Sequence, residues 1–166
     1  LKAGDVLQIG SGSFPLDDIE RWQIAENSYE DNIQLRVVLG PQDKMFTADD
    51  IRLFLSQEYT VTPQADRMGV RLSGKPLQSK SGMDIISDGI VLGSIQVPNS
   101  GEPIILMADH QTTGGYAKIA TVISVDLPLV AQARPNSKIH FKAVGIDVAE
   151  REVKKQKRFF ENLYMF

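Results

Sequence analysis

Ile104-Ile105-Leu106-Met107-Ala108, followed by Asp109-His110-Gln111-Thr112-Thr113-Gly114-Gly115-Tyr116-Ala117-Lys118 and then Ile119-Ala120-Thr121-Val122, sets two apolar runs on either side of a polar, glycine-bearing stretch. The first run is apolar at every position, so neither of its faces suits water, and that pattern fits a strand of a barrel or sandwich covered on both sides. Outward from it, runs with β-branched residues recur at Asp5 to Ile9, Leu35 to Leu39, Tyr59 to Val61, Ile90 to Val97, Ile119 to Val125 and Lys138 to Val144. Gly, Pro, Asn and Asp separate most of them. The reading is mainly β, with a closed or nearly closed sheet.

Two helices interrupt this pattern. Thr47 is a good N-cap, because its hydroxyl can accept from a free amide of the first turn while Asp49 and Asp50 set negative charge at the positive end of the helix dipole. That helix runs from about Ala48 to Ser56 with Ile51, Phe54 and Leu55 as its buried stripe. A second begins near Asp147, with Glu150 and Glu152 early and Lys154, Lys155, Lys157 and Arg158 later, again matching the dipole. Its apolar face is Ile146, Ala149, Val153, Phe160 and Leu163. A shorter helical turn is expected around Leu129 to Gln132. The stretch from Gly74 to Gly89, rich in Gly, Ser, Lys and Asp, reads as a long loop.

The 166 residues suffice for one ordinary domain. Eighteen Lys and Arg against 21 Asp and Glu give a net charge of -3, so no overall positive field exists to hold a nucleic acid. No apolar run approaches the roughly 20 residues of a membrane-spanning helix. The absence of cysteine excludes disulfides, thiolate zinc sites and cysteine nucleophiles, and the N-terminus lacks the regions of a signal peptide. A cytoplasmic home is the simplest expectation. The chain opens at Leu1, as a piece of a longer or processed protein would.

Three clusters can carry chemistry. In the first, Asp109 to Lys118, a carboxylate, an amide, two hydroxyls, a phenol and an ammonium surround Gly114 and Gly115, which would let a polar substrate approach the backbone. The competing reading is a wide hairpin turn whose side chains satisfy loop amides. The second runs from Gln57 to Gly69 and enters a strand. Arg67 can grip a carboxylate through its planar fork and Gln57 or Gln64 can hold an amide, against a plain surface pair of Arg67 with Asp66 or Glu58. The third is Asp84-Ile85-Ile86-Ser87-Asp88-Gly89 with Gly93 to Pro98, where acids four apart can share a proton or a metal, or merely make turns. His110 and His140 lack the spacing of a metal site. Gly10-Ser11-Gly12-Ser13 is neither a phosphate loop nor a nucleophile elbow and reads as a turn.

These same segments carry a resemblance. Leu39 to Asp43 with Phe46-Thr47, QEYTVTPQADRMG from Gln57, DIISDG from Asp84, GSIQVP from Gly93 and ADHQTTGGYAKIATV from Ala108 are similar to the C-terminal region of the biotin-dependent carboxyltransferase, or allophanate hydrolase subunit 2, family. That family includes the C subunit of bacterial 5-oxoprolinase, the KipA protein that antagonises an inhibitor of a sporulation kinase, and the carboxyltransferase part of urea carboxylase. The resemblance implies a cyclophilin-like β-barrel with two or three helices over residues 1–149, and leaves residues 150–166 as a basic helix or tail.

For function, the resemblance implies a non-ATP-binding subunit of an ATP-dependent 5-oxoprolinase, working with the A and B subunits, the latter KipI-like. The alternatives are a regulatory protein that binds the kinase inhibitor, and a carboxyltransferase acting on urea-like amides. A fragment inactive by itself is also compatible. Asp109, Asp88 and Lys118 are then the catalytic candidates. Gln57, Arg67, Gln96, Gln111, Thr112, Thr113, Gly114, Gly115 and Tyr116 are the substrate-binding candidates. No metal is implied. No cofactor is expected on this chain: ATP is used by the complex, and biotin, if carboxyl transfer occurs, rides on another chain, since no biotin-attachment segment is present.

Overall fold

The computed structural model describes residues 2–8, 30–80 and 82–163. Among these, eight strands are formed: β1 (Asn32–Leu39), β2 (Tyr59–Val61), β3 (Gly69–Ser73), β4 (Asp84–Gly89), β5 (Ser94–Val97), β6 (Ile104–Leu106), β7 (Thr113–Val122) and β8 (Lys138–Ala143). Three α-helices accompany them: α1 (Ala48–Ser56), α2 (Leu127–Gln132) and α3 (Ile146–Leu163). The strands follow the order β1-β8-β2-β3-β6-β5-β7-β4, and a further pairing of β1 with β7 closes seven of them into a barrel. β4 stays outside the closed ring. Among the described residues its one strand partner is the first half of β7, at Asp84↔Tyr116, Asp88↔Gly114 and Gly89↔Thr113.

Side-chain patterning supplies the interior that the closed sheet encloses. Along β1 the side chains alternate, with Ile33, Leu35 and Val37 buried, so one face of the strand supplies the barrel interior. All four residues of β5 are buried, as are Ala117 to Ala120 of β7, which is the two-sided burial that the apolar runs predict. The interior is filled by Leu35, Val61, Leu72, Ile95, Ile105, Ile119 and Ile139.

Helix α1 closes over one part of this core. Thr47 caps it by accepting from the Asp50 amide at 3.0 Å, and the Asp50 carboxylate answers to the Thr47 amide, completing a capping box. Phe54 on its inner face stacks on Phe141 at 4.5 Å between centroids, and Tyr59 meets Phe141 at 5.4 Å. Helix α3 is tied to the barrel by Arg36 of β1. This guanidinium takes both oxygens of Asp126, at 2.7 and 3.0 Å, and also Glu152 of α3 at 3.0 Å. These hydrogen bonds hold the Arg36 proton more firmly than usual, Asp126 contributing most, and pull the Glu152 carboxyl below its usual range.

Several expectations need correction. Asp5 to Gln8 form no strand, with Val6 and Leu7 exposed; Ile9 and the Gly10–Ser13 turn lie outside the described residues. The stretch read as a loop from Gly74 contains β4, whose polar residues are tolerated because the strand lies mostly exposed, outside the closed barrel. Ile90 to Gly93 form a turn before β5 rather than its first half. The polar segment after Ala108 is loop only to Thr112, and from Thr113 it is strand. The apolar face of α3 is not buried: Ile146, Val153 and Phe160 are exposed.

The aromatic group under α1 generates a stability prediction. Phe54→Ala should cost about 3–5 kcal/mol by guanidinium denaturation, the range for emptying a large buried aromatic site. A loss below about 1 kcal/mol would mean that α1 is not packed as described.

Candidate functional site

β7 changes partner on one edge. Its end, at Ala120 to Val122, pairs with β1, and its beginning, at Thr113 to Tyr116, pairs with β4. Lys118 falls between the two, where neither strand reaches its backbone. Gln42 fills the gap: its amide donates to the Lys118 carbonyl at 3.0 Å, and its side-chain Oε1 accepts from the Lys118 amide at 3.1 Å. Gln42 lies just beyond the end of β1, after the Gly40-Pro41 turn.

The same glutamine joins the charged pair. The Lys118 side chain is 2% exposed, and its Nζ donates to Asp88 Oδ2 at 2.9 Å. Gln42 Nε2 donates to that oxygen at 3.0 Å, and the Gly89 amide to Asp88 Oδ1 at 2.8 Å. Three donors on one carboxylate hold the Asp88 carboxyl below its usual range, the Lys118 hydrogen bond contributing most and Gln42 next. Asp88 is half exposed while the ammonium is enclosed, so the pair shows its carboxylate to the outside.

Gln96, also buried at 2%, faces Lys118 across the β5–β7 ladder, and its Nε2 lies 3.5 Å from the Tyr116 carbonyl. A Cβ on Gly114 would sit 2.7 Å from Gln96 Nε2, 2.7 Å from Ile90 and 3.4 Å from Gln111 Nε2. A side chain at Gly114 would displace Gln96 and Ile90, and the amide ends of Gln96 and Gln111 both approach this glycine. Of the expected site residues, the fold thus gathers Asp88, Lys118, Gln96, Gln111, Gly114 and the Tyr116 backbone. Thr112 supplies a carbonyl to the Ile90 amide, and Thr113 opens β7 opposite Gly89. Gly115 lies beside the Ile85 carbonyl.

Other candidates lie elsewhere. Arg67 and Asp109 form a two-point ion pair, Nε to Oδ2 at 2.9 Å and Nη2 to Oδ1 at 3.2 Å, at the exposed junction of β3 and β6. Beside it a small apolar cavity is lined by Ala65, Val70, Met107 and Val130. Gln57 is used at both ends of its amide: Nε2 donates to the Tyr59 hydroxyl at 2.7 Å and Oε1 accepts from the Lys75 amide at 2.8 Å. Asp84 and Asp88 take different partners. Asp84 accepts from Asn99 at 3.0 Å, and a bulge in β4 separates the two acids. Among the described residues no three His, Asp or Glu side chains gather where they would hold a metal ion.

The resemblance takes in the segment from Leu39 to Asp43, but nothing local in the sequence assigns a role in the site to Gln42. It stands 76 positions from Lys118, and a glutamine after Gly-Pro reads as a turn residue. What marks it is the barrel closure, which no local pattern displays.

With this geometry in place the comparisons are specific. Residues 1–143 match the family described as carboxyltransferase domain, subdomain A and B. The chain is 37% identical over 98% of its length to the 5-oxoprolinase C subunit of Haemophilus influenzae and 34% identical over the same share to that of Escherichia coli. It spans 51% of the length of each, about half. The structure of Kluyveromyces lactis urea carboxylase has the same fold, with a TM-score of 0.75 at 24% identity over 80% of this chain and 13% of that one. The chain belongs to the carboxyltransferase domain, subdomain A and B, family.

The pair predicts a titration. In a Lys118→Met chain the Asp88 carboxyl should titrate at higher pH than in the wild type by carbon-detected NMR, because its strongest donor is gone. Coincident curves would show that the ammonium does not hold the carboxylate.

Proposed function

We propose that this chain is the barrel portion of the C subunit of an ATP-dependent 5-oxoprolinase, which opens the lactam ring of 5-oxoproline to glutamate together with the A and B subunits in the cytoplasm. The observation that carries the reading is the enclosed Lys118 ammonium behind the half-exposed Asp88 carboxylate, with the amides of Gln96 and Gln111 converging over Gly114. Identity above one third to two proteins named as that 5-oxoprolinase component supports it.

The substrate is a small planar amide with one N–H, one carbonyl and one carboxylate. Asp88, held ionised by three donors, is a poor proton-abstracting base and a good acceptor for the lactam N–H. Gln96 and Gln111 carry the complementary amide groups that orient a planar amide. The Lys118 charge lies close behind and offsets negative charge as the carbonyl carbon is attacked. ATP binds on another subunit and no cofactor on this chain. Relatives named urea amidolyase match more distantly, at 27% and 29% identity, so a urea-like amide is the second substrate class to assay.

The test is glutamate formation from 5-oxoproline and ATP by the full-length protein with the A and B subunits. Asp88→Asn and Lys118→Met should each lower kcat by about a hundredfold or more, as loss of a preorganised charged group does. Gln57→Ala should change stability rather than kcat, because both ends of its amide are committed to Tyr59 and Lys75. Wild-type turnover in both the Asp88 and Lys118 variants would overturn the proposal.

A further inference from the structure

Helix α3 turns its apolar residues toward solvent: Ile146 is 68% exposed, Val153 42% and Phe160 49%. With Ala149 and Gln156 they recur at alternating three- and four-residue steps, the spacing of a coiled-coil seam. Beside the first half of that seam lies an apolar groove of about 850 Å³, lined on the barrel side by Leu39, Pro41, Val91, Leu92 and Leu127 and on the helix side by Ile146, Ala149 and Val153. The barrel supplies one wall and the helix the other, and nothing among the described residues fills the space between them.

We propose that the occupant is a second copy of this chain, whose α3 lies antiparallel along the first and places its Phe160 in the groove. Size and charge both favour this arrangement. With the crossing centred between Val153 and Gln156, the small Ala149 faces Phe160 of the second copy, and Val153 faces Gln156 of the second copy. The same register puts Glu150 beside Lys157 of the second copy, and two-fold symmetry repeats each contact. A parallel pairing would set Phe160 against its own equivalent, away from the groove, and would aim Lys157 at Glu152, which Arg36 already holds at 3.0 Å. The seam between two such helices is short, and the barrel wall of the groove supplies additional apolar burial. The Gln156 layer gives up some of that burial and in return disfavours shifted registers.

Sedimentation velocity from low to high micromolar chain concentration tests the proposal. The wild type should show a reversible monomer–dimer equilibrium. Phe160→Glu should weaken it at least about tenfold, with far-UV circular dichroism unchanged because the position is exposed. Glu150→Lys should weaken association, and adding Lys157→Glu to it should restore association, since the two charges exchange places across the pair. A chain that stays monomeric throughout would overturn the proposal, as would a dimer indifferent to Phe160→Glu or a double variant that fails to recover. It would also fall if the chain is monomeric and its groove, probed by labelling at Leu92→Cys, is covered only when a different protein or another segment of a longer chain is supplied.

Discussion

The change of partner along one edge of β7 governs how the barrel closes and what gathers at its seam. Seven strands can close only if β1 meets β7, and β1 reaches no further back along it than Ala120. The earlier half of β7, exposed at Thr113 and Tyr116, finds its backbone partner elsewhere. β4 takes that role from outside the barrel. At the junction neither strand serves Lys118, and Gln42 does so twice.

The candidate site is a consequence of that junction. β4 brings Asp88, the turn after β1 brings Gln42, and the seam encloses the Lys118 side chain so that its charge must find a partner there. An enclosed ammonium without the carboxylate would be strongly unfavourable, and a carboxylate without the ammonium would titrate closer to its ordinary range. The pairing is thus structural and chemical at once. It contrasts with Arg67 and Asp109, whose exposed ion pair adds little to stability and leaves both groups accessible to a ligand. Arg36 represents a third use of charge, a partly buried fork that ties β1, the turn at Asp126 and α3 together.

Helix α3 departs from the usual relation between an amphipathic pattern and a core. Its apolar stripe is as regular as that of α1, yet α1 is drawn onto the barrel by Phe54, which finds Phe141 and Tyr59, while α3 is held by an ion pair and stands beside an open groove. Periodicity announces that a face seeks apolar company. It does not say whether that company is in the same chain.

Residue order alone was enough for a mainly β domain, the span and cap of α1, most strand centres and the polar segments that hold Asp88, Lys118, Gln96 and Gln111. Those features depend on side-chain alternation, capping chemistry and turn residues, all of which act over a few positions. The apolar runs also suggested a closed or nearly closed sheet, and family resemblance specified a cyclophilin-like barrel. It took the folded chain to show that Gln42 joins Lys118 and Asp88, that Gln57 is committed to Tyr59 and Lys75, that Asp84 and Asp88 serve different partners, and that polar β4 is a strand at all. Each of those outcomes depends on which edges meet when the barrel closes, and a closure between segments far apart in the chain leaves no mark in any local run of residues.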